Sequence, residues 1–147
     1  MKRKGPSGRR IRIRPCRSAD VSAVLELWKR AGVAPSVTDR PAAVRQRLKR
    51  DRQLFLLAWD GPRLVGSVMA GWDGWRATMA RLAVDPEYRR MRVARLLVAR
   101  AERQLRAAGA QRIGGIVLRS NRAGRRFWST AGYLPGRGVM RYVKNLR

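Results

Sequence analysis

The residues whose types and order could do chemistry lie between Leu82 and Leu97, in the run LAVDPEYRRMRVARLL. An apolar stretch breaks at Asp85-Pro86, a basic loop follows, and a helix-forming segment opens at Val93. The first turn of a helix carries backbone N–H groups without intrahelical acceptors at the positive end of the helix dipole. It is therefore a ready site for phosphate oxygens. Arg89, Arg90, Arg92 and Arg95 add cations around it. This chemistry suits a ligand carrying a pyrophosphate. It suits a lone metal less well, because the chain has no histidine. The same spacing is also open to a plainer reading, a strand–helix connection in an arginine-rich chain.

The elements that must position this segment can be read from periodicity. Ile11 and Ile13 alternate with Arg12 and Arg14, a first strand ended by Pro15. Ser18 is placed to cap a helix in which Val21, Val24, Leu25 and Trp28 share one face and which Gly32 stops. Asp39 and Pro41 open a second helix with Val44 and Leu48 inward. Two apolar runs, Leu54 to Trp59 and Leu64 to Ala70, flank Asp60-Gly61-Pro62 as a hairpin. A turn at Trp72-Asp73-Gly74-Trp75 leads to a strand from about Thr78 to Val84. The next helix is expected to bury Ala94, Leu97, Val98, Ala101, Leu105 and Ala108 and to end at Gly109. Ile113 to Leu118 reads as a buried strand, Asn121 as the cap of a short helix to about Thr130, and Val139 to Val143 as a last strand. The order is βααβββαβαβ, a mixed α/β class around one sheet.

The 147 residues suggest one domain. Residues 1–10 have no apolar anchor and are expected to form a disordered basic arm, leaving 11–147 as the domain. No apolar stretch approaches the roughly 18 to 20 residues a membrane span needs, and the basic N-terminus lacks the apolar core of a secretory signal. Cys16 is the single cysteine, which excludes an intramolecular disulfide and fits a cytoplasmic setting. With no histidine in the chain, it has no basic partner that would mark it as a nucleophile. Lys plus Arg is 35 against 9 acidic residues, a net charge of +26. A field of that sign attracts nucleic acid or an acidic partner. The arginines are nonetheless spread along the chain, as a composition bias would leave them.

The segment Arg89-Arg90-Met91-Arg92-Val93-Ala94 resembles the motif A loop of the GNAT acetyltransferase superfamily, Arg/Gln-x-x-Gly-x-Gly/Ala. Asn121 to Tyr133, NRAGRRFWSTAGY, is similar to its motif B, and VGSVMAGWDG from Val65 to Gly74 resembles the YpeA-type branch of small bacterial members. The resemblance runs from about Ile11 to Val143. It implies an acyl-CoA N-acyltransferase fold and transfer of an acetyl group from acetyl-CoA to an amine by direct attack. It further implies that Leu82, Ala83 and Val84 lie beside the pantetheine arm, one of their N–H groups polarising the thioester carbonyl. Arg89 to Ala94 would wrap the pyrophosphate with Arg95 beside them, and Asn121 would touch the cofactor arm or cap the next helix. The protein would be a monomer or homodimer without a metal.

Two positions depart from that pattern. Arg92 stands where the family has glycine; it is acceptable if the turn is an ordinary right-handed one. Trp128 stands at the cofactor-side position where many members carry the tyrosine that protonates the leaving thiolate, and indole cannot act as that acid. The general base is open: a carboxylate, a water chain, or an amine that arrives neutral. Asp85 and Glu87 flank the phosphate loop, where Asp85 is expected to cap or brace. Asp73 is a candidate base on the acceptor side, and it also has the placement of a turn aspartate bonding its own backbone. The alternative to an enzyme is a GNAT-fold protein with little catalysis that binds RNA, a ribosome or another polyanion through its charge.

Overall fold

A computed structural model of the chain describes residues 10–146. The expected arm at residues 1–10 lies outside them apart from Arg10. Two compact units divide the chain after Gly115.

The first unit holds a five-stranded sheet in the order β1-β2-β3-β4-β5. β1 is Arg12–Pro15, β2 Phe55–Asp60, β3 Arg63–Trp72, β4 Ala77–Val84 and β5 Ile113–Gly115. Each of the first four strands is antiparallel to its neighbour, and β5 runs parallel to β4. The expected hairpin is thus β2–β3, with Asp60 against Arg63 at its closed end.

Helix α1 is Val21–Arg30 and α2 is Pro41–Arg50. The residues expected at the α1 cap form a short 3-10 turn, Ser18–Asp20, instead. Its brace is Asp20 rather than Ser18: the Asp20 carboxylate accepts the Arg17 N–H at 2.8 Å and pairs with Arg14 at 2.7 Å. Gly32 ends α1 in a left-handed conformation (φ 74°) that only glycine takes without strain. Pro41 starts α2, where its missing N–H costs nothing.

The sheet's pleat sorts the core. Phe55, Leu57, Leu64 and Ala83 pack with Val21, Val24, Leu27, Trp28, Val44 and Leu48 of the first two helices. Leu56 and Ala58 alternate with that set and point to the opposite face. There α3, Val93–Ala108, buries Val93, Leu97, Val98, Ala101 and Leu105. Ala94 is half-buried and Ala108 is exposed, because they flank the stripe rather than centre it.

β5 differs from the expected strand. It covers only 113–115 and is half-buried to exposed, since two glycines in three residues give it little apolar surface to hide. The second unit contains α4, Arg122–Thr130, whose N-cap is Asn121: its Oδ1 accepts the Gly124 N–H at 2.9 Å. Residues 139–143 form no strand; alternation supplies a pattern, but a strand also needs a ladder partner, and these residues have none among those described.

Candidate cofactor site

β4 pairs with β5 only through Ala77, Thr78 and Met79. From Ala80 to Val84 that edge carries no ladder among the described residues, so its backbone groups are open to an extended ligand arm. On the β3 side the register slips: Ser67 pairs Ala83 and Met69 pairs Ala80, leaving Arg81 and Leu82 opposite Val68 alone. This is a β-bulge, and Arg81 sits in it at φ 53°. A left-handed non-glycine residue costs about 1–2 kcal/mol. The Ser67 hydroxyl donates to the Arg81 carbonyl at 2.8 Å and accepts from Trp28 Nε1 at 2.9 Å, with Ser67 wholly buried. Sequence periodicity gave no sign of the bulge, because alternation counts residues and not their dihedrals.

Beyond Val84 the chain is braced before it reaches α3. Asp85, 1% exposed, accepts the Glu87 N–H at 2.9 Å, Arg30 Nε at 2.9 Å and Arg63 Nη2 at 3.0 Å. Burial pushes this carboxyl up, but the Glu87 N–H and the two guanidiniums outweigh it and hold Asp85 below its usual range. Tyr88 is buried and donates its hydroxyl to Asp60, with Arg63 over its ring at 5.2 Å. The expected bracing role of Asp85 is therefore the one its geometry provides.

The loop itself contains Arg90 at φ 63° and Arg92 at φ 65°, ψ 11°. Arg92 is thus left-handed, not the ordinary right-handed residue expected, and it holds the conformation that glycine takes freely. Its left-handed backbone followed by the right-handed Val93 turns successive N–H groups toward one side, an arrangement that receives anions. The first helical bond of α3 runs from the Leu96 N–H to the Arg92 carbonyl at 3.0 Å. The N–H groups of Val93, Ala94 and Arg95 precede that ladder and point out of the helix end. The side chains of Arg90, Arg92 and Arg95 are exposed and make no hydrogen bond or ion pair among the described residues. Arg89 is spent elsewhere: its Nη2 donates to the Ala31 carbonyl at the end of α1, at 3.0 Å. Met91 is exposed, while Leu82 and Val84 are half-buried and Ala83 is in the core. An open strand edge leading to an unladdered helix start fits a cofactor with an amide-bearing arm and a pyrophosphate.

Asn121 and Trp128 belong to the second unit, where Asn121 caps α4 and the Trp128 ring meets Tyr133 edge-on at 4.8 Å. Asp73 is occupied by its own turn. Its Oδ1 accepts the N–H groups of Trp75 and Arg76, and bonds from Arg76 first and Trp75 second hold it below the usual carboxylate range. That is the bonding of a turn brace, and it lowers proton affinity. Cys16 is fully buried, and desolvation pushes its thiol up to about 12. No group of three or more His, Cys, Asp or Glu among the described residues could hold a metal. No helix among them is long and apolar enough to cross a membrane.

The sheet, its helices and the element order define an α/β acyltransferase fold. The model of the acetyltransferase (GNAT) family matches residues 21–133. An acetyltransferase of Pectobacterium atrosepticum is 35% identical over 113 residues, covering 77% of this chain and 80% of the relative. Among solved structures, Ard1 from Thermoplasma volcanium superposes with a TM-score of 0.77 at 18% identity, over 84% of this chain and 82% of that one. The PaiA N-acetyltransferase from Thermoplasma acidophilum, in complex with coenzyme A, gives 0.75 at 20% identity, over 83% and 88%. The chain belongs to the acetyltransferase (GNAT) family and is an acetyl-CoA-dependent N-acyltransferase.

Proposed function

We propose that the protein transfers the acetyl group of acetyl-CoA to a primary amine by direct attack, with the pantetheine arm along Leu82–Val84 and the pyrophosphate at the start of α3. The observation that carries this reading is the open β4 edge from Ala80 to Val84, followed within one short loop by the unladdered N–H groups of Val93, Ala94 and Arg95. Acetyl-CoA supplies the activated thioester. The chain's part is to align it as an added strand, to present a β4 N–H to the carbonyl oxygen as charge develops there, and to neutralise the phosphates. Arg90, Arg92 and Arg95 are the cations free for that last task; Arg89 contributes its backbone.

This reading assigns proton transfer to no carboxylate: Asp20, Asp39 and Asp85 are engaged by arginines, Asp73 by its turn and Asp60 by the Tyr88 hydroxyl. The amine arrives neutral and attacks the thioester carbon, the C–S bond breaks to release the thiolate, and the proton left on the acylated nitrogen passes to solvent water. Trp128 donates only an indole N–H and is not the acid. Activity then rises with pH as more acceptor amine is deprotonated. Thermal unfolding with acetyl-CoA is the direct test. At 100-fold above its dissociation constant, a ligand specific for the folded state adds about 2.7 kcal/mol. Absence of any shift at millimolar acetyl-CoA would refute the assigned site.

A second reading concerns the charge. Among the described residues only Arg14, Lys29, Arg30, Arg63 and Arg81 form ion pairs, leaving most of the other cations exposed and without a carboxylate partner. That surplus supports contact with a nucleic acid or acidic partner, through which the acceptor would be delivered or the protein docked. Such binding weakens steeply with salt, whereas acetyl-CoA seated against a helix start responds less.

A further inference from the structure

We propose that Arg81 is a positioning residue that links the order of the loop between α1 and α2 to occupancy of the β4 edge. The inference rests on reading β4 as the cofactor strand.

The loop, residues 31–40, is mostly exposed, with Val37 at 58%. Among the described residues outside α1, α2 and the loop itself, the side-chain hydrogen bonds that reach it come from two. Arg81 donates from Nη1 to the Ala34 carbonyl at 2.9 Å and from Nη2 to Asp39 Oδ1 at 2.8 Å. Arg89 donates to the Ala31 carbonyl at 3.0 Å. These two arginines bracket the segment 82–88, which joins the open strand edge to the phosphate loop. Asp39 passes the tie inward: its Oδ2 accepts the Ser36 N–H at 2.8 Å.

Arg81 is held at both ends of its own structure. Its backbone is left-handed and fixed through the Ser67 hydroxyl, and its guanidinium lies 5.2 Å from the centre of the Trp28 ring. Trp28, Ser67 and Arg81 therefore close a ring of contacts around the bulge. A shift of the Leu82 backbone moves the Arg81 backbone beside it and so the anchor of the loop. Conversely, a disordered loop frees the guanidinium and loosens the bulge. Binding along β4 and order in residues 32–39 are then reciprocally coupled.

Hydrogen–deuterium exchange on the full-length protein tests this, with and without acetyl-CoA, for the wild type, R81G, R81K and D39N. Glycine keeps the left-handed bulge without strain but removes both ties. In the wild type, acetyl-CoA slows exchange at residues 89–95 and also at 32–39. In unliganded R81G, exchange at 32–39 is faster by on the order of tenfold, as expected for a loop losing its tertiary anchors. Acetyl-CoA still slows 89–95 in R81G but no longer slows 32–39. D39N shows a smaller form of the same effect, and R81K restores part of the ligand response. Wild-type exchange at 32–39 in unliganded R81G would overturn the proposal. So would a full ligand response in that variant, because a purely structural tie speeds the loop without uncoupling it. Failure of the cofactor reading has a separate signature, no protection at 89–95 in the wild type; the tie itself is judged in the unliganded arm.

Discussion

Gly66 on β3 faces Val93, the first residue of α3: a Cβ built on Gly66 would stand 2.8 Å from Val93 Cγ1 and 3.0 Å from Leu97 Cδ1. The helix start that receives phosphate in our reading therefore sits at its depth because one strand residue lacks a side chain. Gly66→Ala is expected to cost about 1–3 kcal/mol by overpacking and to weaken acetyl-CoA binding more than an equally destabilising change remote from α3. Denaturant unfolding and thermal shifts with acetyl-CoA separate the two effects.

Arg92 carries backbone strain together with a charge. Arg92→Gly relieves about 1–2 kcal/mol of left-handed strain, part of which is cancelled by the greater chain entropy of glycine. We expect a net gain of roughly 0.5–1 kcal/mol in the free protein. Both variants lose the cation and weaken CoA binding, Arg92→Gly less than Arg92→Ala, because glycine lets the backbone approach the phosphates more closely. Comparing CoA with dephospho-CoA in both variants identifies which phosphate the guanidinium serves. Tenfold tighter binding by Arg92→Gly would show the side chain to be an obstruction.

Asp85 predicts an acid limb of stability. Its folded pKa lies below the usual aspartate value of about 3.9, so its stabilisation is present above that value and is lost as pH falls through the folded pKa. Asp20, buried but held down by Arg14 and the Arg17 N–H, acts with the same sign. Asp85→Asn should cost about 1–3 kcal/mol at neutral pH, because a neutral amide cannot accept from Arg30, Arg63 and the Glu87 N–H as the buried carboxylate does, and should flatten the decline below about pH 4. Urea midpoints measured from pH 3 to 7 check both.

Cys16 reports on global unfolding. It is fully buried, with its thiol pushed up by desolvation, and thiolate is the reactive form. Native protein at pH 8 should resist a maleimide or disulfide reagent, and labelling should track the unfolded fraction as urea is added. Rapid labelling of native protein would show that the β1 end of the core opens locally.

The sequence by itself determined the elements and their order up to α4, the inward residues of α2 and most of those of α1 and α3 (in α1 Leu27 is fully buried and Leu25 only half-buried), and the strand–loop–helix segment carrying the cofactor motif. It could do so because hydrophobic period, Gly and Pro breaks and loop composition are local properties of the chain. It over-read Ile113 to Leu118 and Val139 to Val143, where pattern alone does not supply a pairing partner. Only tertiary structure decided that Arg81 and Arg92 are left-handed, that Gly66 must be bare beneath Val93, and that Arg89 braces α1. The same holds for Asp85 gathering Arg30 and Arg63 from distant elements. At Arg81, Gly66, Arg89 and Asp85 the reason is that groups far apart in sequence meet at a few ångströms, and at Arg81 a dihedral penalty of about 1–2 kcal/mol is outweighed by contacts that no local window contains.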